Sequence, residues 1–262
     1  MKNYIFFVEG VHDASCIGKI LKLNNFKECH FINDIPQIWQ DRIPRSYPFQ
    51  IGKLEKFTPI PDYYINDDIF VVINPSNGEQ NIIKQVDLYL SNMNKLELAQ
   101  IYGICMIFDA DSETPKEKID KLIKIIDKKE LCFNSKEFID GIVNLKGELI
   151  NIYYYFFPNN YSSGTLEDLL LEGANVVYSD LLSSVNNYID NIDEKHKYNW
   201  TISSKNKVKV GCIANVFRPA SANQISIMKD KWISEETISK SPSIKSLYSF
   251  ITSIVFNNIK TP

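Results

Sequence analysis

The sequence predicts an α/β fold with a mainly parallel, Rossmann-like sheet flanked by helices. Three short, almost wholly apolar segments, at residues 4–8, 69–73 and 102–108, have the composition of strands buried on both faces. Each is followed by a segment whose apolar residues recur with the period of a helix. Alternating strands and helices are typical of a parallel sheet.

The first half of the chain contains the more regular elements. The helices expected after the three strands cover residues 13–23, 81–90 and 116–127, and Pro115 occupies a first-turn position that proline favours. Residues from about 30 to 65 include five prolines and show no clear period, so we expect an insertion there. We therefore predict an α/β core over residues 1–130.

The second half, residues 131–262, is expected to be an irregular α+β extension that packs on the core and contributes to its site. Strands are predicted at residues 142–145, 149–157 and 205–214. Helices are predicted after a loop at residue 162, at 179–192 and at 246–257. The aromatic run IYYYFF at 152–157 suits a core or a partner copy, so a homodimer stays open.

Composition sets limits on the class of protein. The chain has 262 residues, 44% hydrophobic and 23% charged, which is ordinary for a globular protein. Its formal net charge of −3 means that any nucleic-acid binding must depend on local lysines. Five scattered cysteines without a CxxC pair indicate reduced thiols and argue against zinc. With neither a signal peptide nor a membrane-spanning run, a cytoplasmic protein is expected.

Acidic residues stand where two of the predicted strands end. Glu9 ends the first strand, and Asp109 and Asp111 follow the third. Because ligands bind at the carboxyl ends of parallel strands, we expect these carboxylates to converge. On an extended segment residues two apart point the same way, which would bring Asp109 and Asp111 together. Such carboxylates repel one another, and Mg²⁺ or Mn²⁺ would relieve the repulsion.

An alternative explains each acid separately. Acidic residues often follow strands because they cap the next helix. Asp109 or Asp111 alone fits a cap, whereas the joint occurrence at two strand ends favours a metal site.

The same residues carry a resemblance. FVEGVHDASCIGKIL resembles the opening of a TOPRIM domain, and IFDADS resembles its magnesium-binding Asp-x-Asp motif. The strand, polar turn and helix expected between them are present in FVVINPSNGEQNIIKQVDLYL, although its turn has one glycine where related proteins often have more. The resemblance covers the first half. It implies a TOPRIM-like fold and metal-dependent phosphodiester cleavage, with Glu9, Asp109 and Asp111 as metal ligands and Glu9 also as general base.

The second half is similar to standalone bacterial TOPRIM proteins related to the overcoming-lysogenization-defect (OLD) nucleases, some of which act in phage defence. GTLEDLLLE and KVKV carry this similarity. It implies that Glu167 and Asp168 complete the metal site, although acids in a first helical turn are also favoured by the helix dipole. Asp13 is expected to support the metal indirectly or to cap its helix.

Basic residues supply candidate contacts to the substrate. Lys207 and Lys209, two apart on a predicted strand, would share a face and stabilise charge developing on phosphate, or form a solvated edge. Arg218 is a candidate phosphate contact or a structural ion pair. In the insertion, basic and aromatic residues together suit a single nucleic-acid strand or a small satellite core: Arg42, Arg45, Lys53, Lys56, Trp39, Tyr47 and Phe49.

The first functional hypothesis is a Mg²⁺-dependent TOPRIM nuclease that acts on DNA or RNA. The alternative is a catalytically silent or partner-dependent TOPRIM subunit that works with a separate ATPase, because the chain lacks a GxxxxGK[ST] motif. A dehalogenase-type phosphatase is disfavoured, since its Asp-x-Asp would stand on the first strand.

Overall fold

A computed structural model of the chain describes residues 1–43 and 60–256. Their strands are β1 (Lys2–Val8), β2 (Lys27–Glu28), β3 (Asp62–Asn66), β4 (Ile69–Pro75), β5 (Ile101–Asp109), β6 (Ile142–Leu145) and β7 (Glu148–Phe157). Their α-helices are α1 (Val11–Leu23), α2 (Gln37–Gln40), α3 (Glu79–Ser91), α4 (Lys95–Leu98), α5 (Pro115–Asp127), α6 (Ser135–Asp140), α7 (Leu166–Val177), α8 (Ser179–Asp190), α9 (Ile202–Phe217), α10 (Asn223–Lys229), α11 (Glu235–Lys240) and α12 (Pro242–Phe256). Short 3₁₀ helices lie at Ile32–Asp34 and Glu194–His196.

The strands form one sheet in the order β2-β3-β4-β1-β5-β7-β6. The four central strands, β4, β1, β5 and β7, are parallel, and antiparallel strands flank them on both sides. Val8 pairs with Pro75, and Asp109 pairs with Phe157, so the carboxyl ends of the parallel strands lie along one rim. The predicted α/β fold with a mainly parallel, Rossmann-like sheet is confirmed.

Side chains that alternate along β1 enter two hydrophobic cores. Tyr4, Phe6 and Val8 pack with α1 and with the helices α7 to α12. Ile5 and Phe7 pack on the opposite face with α2 to α6. Each fully buried side chain of this size contributes about 1.5–3 kcal/mol to stability. The wholly apolar β1 thus follows from burial on both faces.

One predicted element is wrong. Residues 205–214, expected as a strand, lie inside α9. The buried residues of α9, Val210, Ile213 and Ala214, have helical spacing, and they begin where the alternation of lysine and valine ends. Thr201 caps the helix by accepting a hydrogen bond from the Ser204 N–H at 3.1 Å. Consequently every described element after β7 is helical.

The expected division at residue 130 stays a prediction, although β6 and β7 complete the same sheet as the earlier strands. The aromatic run at 152–157 belongs to β7 and lies between β5 and β6.

In the insertion, the Trp39 side chain is buried and its Nε1–H donates to Oδ1 of Asn3 at 2.9 Å, while Arg42 pairs with Glu97 at 3.0 Å. Trp39 therefore belongs to a core. The other residues of the expected strand-binding surface, Arg45, Tyr47, Phe49, Lys53 and Lys56, lie outside the described residues.

Within residues 1–43 and 60–256, no helix is both long and apolar enough to cross a membrane. The five cysteines are unpaired thiols.

Candidate functional site

The rim formed by the carboxyl ends of the parallel strands brings three elements together. Glu9 follows β1 directly, and its Oε1 accepts a hydrogen bond from the backbone N–H of Asp109 at 2.9 Å. Asp109 ends β5, and its Oδ1 accepts from the backbone N–H of Leu166, the first residue of α7, at 2.8 Å. The expected meeting of Glu9 and Asp109 at one rim is therefore seen in the structure.

A cavity of about 390 Å³ opens beside these residues. Four carboxylates line it: Glu9, Asp13, Asp109 and Glu167. Its remaining lining is mixed: Gly10, Val11, His12, Gly78, Leu166, Leu170, Lys207, Val210 and Asn223. The helices α1, α7, α9 and α10 thus wall a space whose floor is the end of the sheet.

The carboxylates of this cavity are poorly solvated and repel one another. Burial, followed by the charges of Asp13 and Glu9, raises the pKa of Asp109 to about 9. Burial, then Glu9 and Glu167, raises the pKa of Asp13 to about 7, against the lowering effect of its hydrogen bond from Gly10. Burial also raises the pKa of Glu9. The cavity therefore favours a bound proton or another cation.

Of the two roles expected of Asp13, capping of its helix is seen in the structure, and support of a metal stays a prediction. Its Oδ2 accepts a hydrogen bond from the Gly10 N–H at 2.7 Å at the start of α1, which is one half of a capping box, because Gly10 has no side chain to accept the reciprocal bond. The same side chain is buried and lines the cavity.

Glu167 and Asp168 differ in position. Glu167 is buried, lines the cavity and accepts a hydrogen bond from the Thr165 hydroxyl at 2.9 Å. Asp168 instead caps α7, accepting from the Thr165 N–H at 2.8 Å, and its other oxygen accepts from Nδ2 of Asn206 at 2.8 Å. Asp168 is not among the lining residues, so its assignment as a metal ligand stays a prediction.

Asp111 does not share the direction of Asp109. β5 ends at Asp109, and Asp111 has a left-handed φ of 55° and forms backbone hydrogen bonds with Gly164 at 2.7 and 2.8 Å. Its Oδ2 accepts a hydrogen bond from Lys118 at 2.9 Å rather than lining the cavity. The expectation that an extended Asp-x-Asp would place both acids together is wrong for this reason.

The two candidate lysines also diverge. Residues two apart on a helix point in nearly opposite directions, so the predicted shared face of Lys207 and Lys209 is wrong. Lys207 lines the cavity, and Lys209 does not. Arg218, at the end of α9, pairs with Asp230 through Nη2 at 2.8 Å and Nε at 3.3 Å. That contact is the structural ion pair left open above, and Arg218 is absent from the cavity lining.

Two lining residues with polar side chains were not predicted. His12 follows Glu9 by three residues in the first turn of α1, and burial lowers the pKa of its imidazole. Its position just after a strand end was the available signal. Asn223, at the start of α10, reaches the cavity through the packing of helices, for which the local sequence gives no signal.

The chemistry of the donors fits a hard cation. Glu9, Asp13, Asp109 and Glu167 offer only oxygen, the donor type that Mg²⁺ prefers. Their side chains are not preassembled around an ion: among the described residues, no group of three or more His, Cys, Asp or Glu side chains is arranged to hold a metal. Binding would therefore require these side chains to change position.

Comparison with known proteins identifies the family. Residues 3–254 match the sequence model of a family described as a protein of unknown function (DUF3226). The chain belongs to this family. Among solved structures, it is similar to the crystal structure of a hypothetical protein from Pyrococcus horikoshii OT3, with a TM-score of 0.59 and 18% identity over 97% of this chain and 99% of that chain. That likeness supports the fold alone. No curated protein matches the chain.

Proposed function

We propose that this DUF3226 protein is a Mg²⁺-dependent nuclease of TOPRIM type that hydrolyses phosphodiesters of DNA or RNA at the rim cavity. The observation that carries the proposal is the convergence of Glu9, Asp13, Asp109 and Glu167 on one cavity at the ends of parallel strands. A role in phage defence, as in some TOPRIM relatives, belongs to the same proposal.

Electrostatics support the presence of a cation. Burying several acids that repel one another lowers the stability of a protein, so the arrangement calls for a functional reason. Glu9, Asp109 and Glu167 are the residues that would hold Mg²⁺, with Asp13 beside them. When bound, the ion would polarise the scissile phosphate and acidify a water molecule.

The protein groups around this centre have separable tasks. Lys207 extends from α9 into the lining and supplies positive charge for a phosphate oxygen. Oε1 of Glu9 is engaged by the Asp109 N–H, so Oε2 is the atom available to accept a proton from water. The apolar wall formed by Leu166, Leu170 and Val210 reduces the access of bulk water to these groups.

A second candidate is a catalytically silent or partner-dependent TOPRIM subunit that works with a separate ATPase. The observation that favours it is the lack, among the described residues, of side chains already arranged around an ion. In that case a partner would complete the geometry of the site.

Calorimetric titration of Mg²⁺ and Mn²⁺ tests the proposal, with Glu9→Gln and Asp109→Asn as site variants. Asp180→Asn, which changes an exposed acid in the first turn of α8, is the matched control. Metal-loaded samples are then incubated with single- and double-stranded DNA and RNA.

We expect wild type and the control to bind the cation, both site variants to lose binding, and wild type to cleave at least one substrate. Binding without cleavage would favour the partner-dependent subunit. A wild type that binds no cation at millimolar concentration would contradict the proposed nuclease and leave only a subunit whose site a partner completes.

A further inference from the structure

Lys118 is a buried cation close to the rim cavity. It lies in the first turns of α5, where its N–H donates to the Thr114 carbonyl at 3.0 Å, and the residue is only 4% exposed. Lysine is rarely buried to this extent without a partner. The positive end of a helix also disfavours a cation. Two general tendencies therefore oppose a lysine here, and its contacts must compensate.

Those contacts use the whole hydrogen-bonding capacity of the ammonium group. Nζ donates to Oδ2 of Asp111 at 2.9 Å and to both carboxylate oxygens of Glu79 at 3.0 Å. Burial opposes the charge of Lys118, but these hydrogen bonds outweigh it and raise its pKa. Lys118 therefore stays charged and joins α5 to the start of α3 and to the segment after β5.

This cluster acts on the cavity from outside it. Burial is the main cause that raises the pKa of Glu9; the charges of Glu79 and Asp111 raise it further, and the charge of Lys118 lowers it, so these charges interact with Glu9. Lys118 itself is not among the cavity's lining residues. The Asp111 side chain is 51% exposed, which leaves it space to change its rotamer. Asp111 is thus near the candidate ligands but is engaged elsewhere.

We propose that Lys118 is a positioning residue that holds the Asp111 carboxylate away from the cavity. Its ammonium group takes the position beside Asp111 that a divalent cation would otherwise occupy. The inference rests on the proposed function, because it concerns the same cation. Asp111 joins the bound ion only by giving up its hydrogen bond with Lys118, so this contact sets the affinity of the site for the ion.

A double-mutant cycle with calorimetric titration of Mn²⁺ tests the inference. The variants are Lys118→Met, Asp111→Asn and their combination, and Lys118→Gln replaces Lys118→Met if the latter does not fold. Lys121→Met is the matched control, since Lys121 is an exposed lysine on α5 that pairs with Glu113. Urea denaturation establishes that each variant is folded.

We expect Lys118→Met to bind Mn²⁺ roughly three- to tenfold more tightly than wild type, because the Asp111 carboxylate is released and its charge can then attract the ion. When Lys118→Met is made in the Asp111→Asn variant, the change in log Kd for Mn²⁺ should be less than half of the change that Lys118→Met causes in wild type. The Lys121→Met variant should bind as wild type does.

An equal effect of Lys118→Met in both backgrounds would mean that Lys118 acts only through its field, and would overturn the positioning role. Unchanged or weaker binding in Lys118→Met would overturn it as well. Both results leave wild-type binding, and with it the proposed function, intact. If neither wild type nor any variant binds Mn²⁺, the proposed function fails, and this inference fails with it.

Discussion

Glu9 and Asp109 lie 100 residues apart in the chain and are joined by one hydrogen bond, 2.9 Å from the backbone N–H of Asp109 to Oε1 of Glu9. The bond crosses from the end of β1 to the end of the neighbouring strand β5. It fixes one oxygen of Glu9 and leaves the other available to the cavity. The orientation of this carboxylate thus depends on the backbone of the sheet rather than on a flexible loop.

The two lysines of α9 should differ in function. Lys207 lines the cavity, whereas Lys209 is outside its lining. We expect Lys207→Met to lower the rate of Mn²⁺-dependent cleavage by roughly a hundred- to a thousandfold, the range for loss of one electrostatic group in a site. Lys209→Met is the control and should retain the wild-type rate. An equal loss of cleavage rate in both variants would indicate that α9 attracts nucleic acid through its overall positive charge.

Glu167 and Asp168 should separate into a ligand and a cap. Glu167→Gln should weaken cation binding with little change in stability, because the Thr165 hydroxyl can still donate to the amide oxygen. Asp168→Ala removes the cap of α7 and the contact with Asn206, so it should lower the free energy of unfolding by about 1–2 kcal/mol. Calorimetry and urea denaturation of both variants check this division. Loss of stability in Glu167→Gln with intact binding would reverse the assignment.

The pKa of Asp109 implies that stability decreases as pH rises. Folding raises this pKa from 3.8 to about 9, so the folded state retains a proton that the unfolded state has lost. The stability that Asp109 contributes is therefore fully present below about pH 4, and it is lost by about pH 9. In EDTA, wild type should therefore lose more than about 1 kcal/mol between pH 5.5 and 8.

Asp109→Asn should show a smaller decrease over the same pH range, since the amide does not ionise. Part of the decrease should remain, because the pKa of Asp13 is raised to about 7. Urea denaturation at the two pH values measures the difference, with Asp180→Asn as control. A variant with the wild-type slope would show that Asp109 is not the group responsible.

Substitution of Gly164 by alanine should lower the free energy of unfolding more than substitution of Gly78 does. Both have positive φ, 137° and 111°, so alanine at either position strains the backbone. A Cβ at Gly164 would also lie 2.9 Å from Oδ2 of Asp168 and 3.1 Å from Cδ of Pro158, whereas nothing lies within 4 Å of a Cβ at Gly78. We expect Gly164→Ala to cost about 1 kcal/mol or more beyond the loss in Gly78→Ala. Similar losses by urea denaturation would mean that the local contacts relax.

The buried strands could be predicted because a strand buried on both faces is a continuous apolar run in the sequence. The acids at the strand ends could be predicted because each directly follows such a run. Glu9 and Asp109 followed from those signals. The helix α9 did not, because its alternating lysines and valines have the period of a strand while Val210, Ile213 and Ala214 set the helical face. The orientation of Asp111 depends on a left-handed φ and on pairing with Gly164, which is distant in sequence.

The walls of the cavity are synthesised in a fixed order. Glu9 and Asp13 leave the ribosome early, and Lys207 and Asn223 follow about 200 residues later. At typical rates of translation this interval is roughly 10 to 40 seconds. Until α9 and α10 have emerged and packed, the acids at the rim face solvent without their helical wall. An unfinished chain therefore has no assembled site.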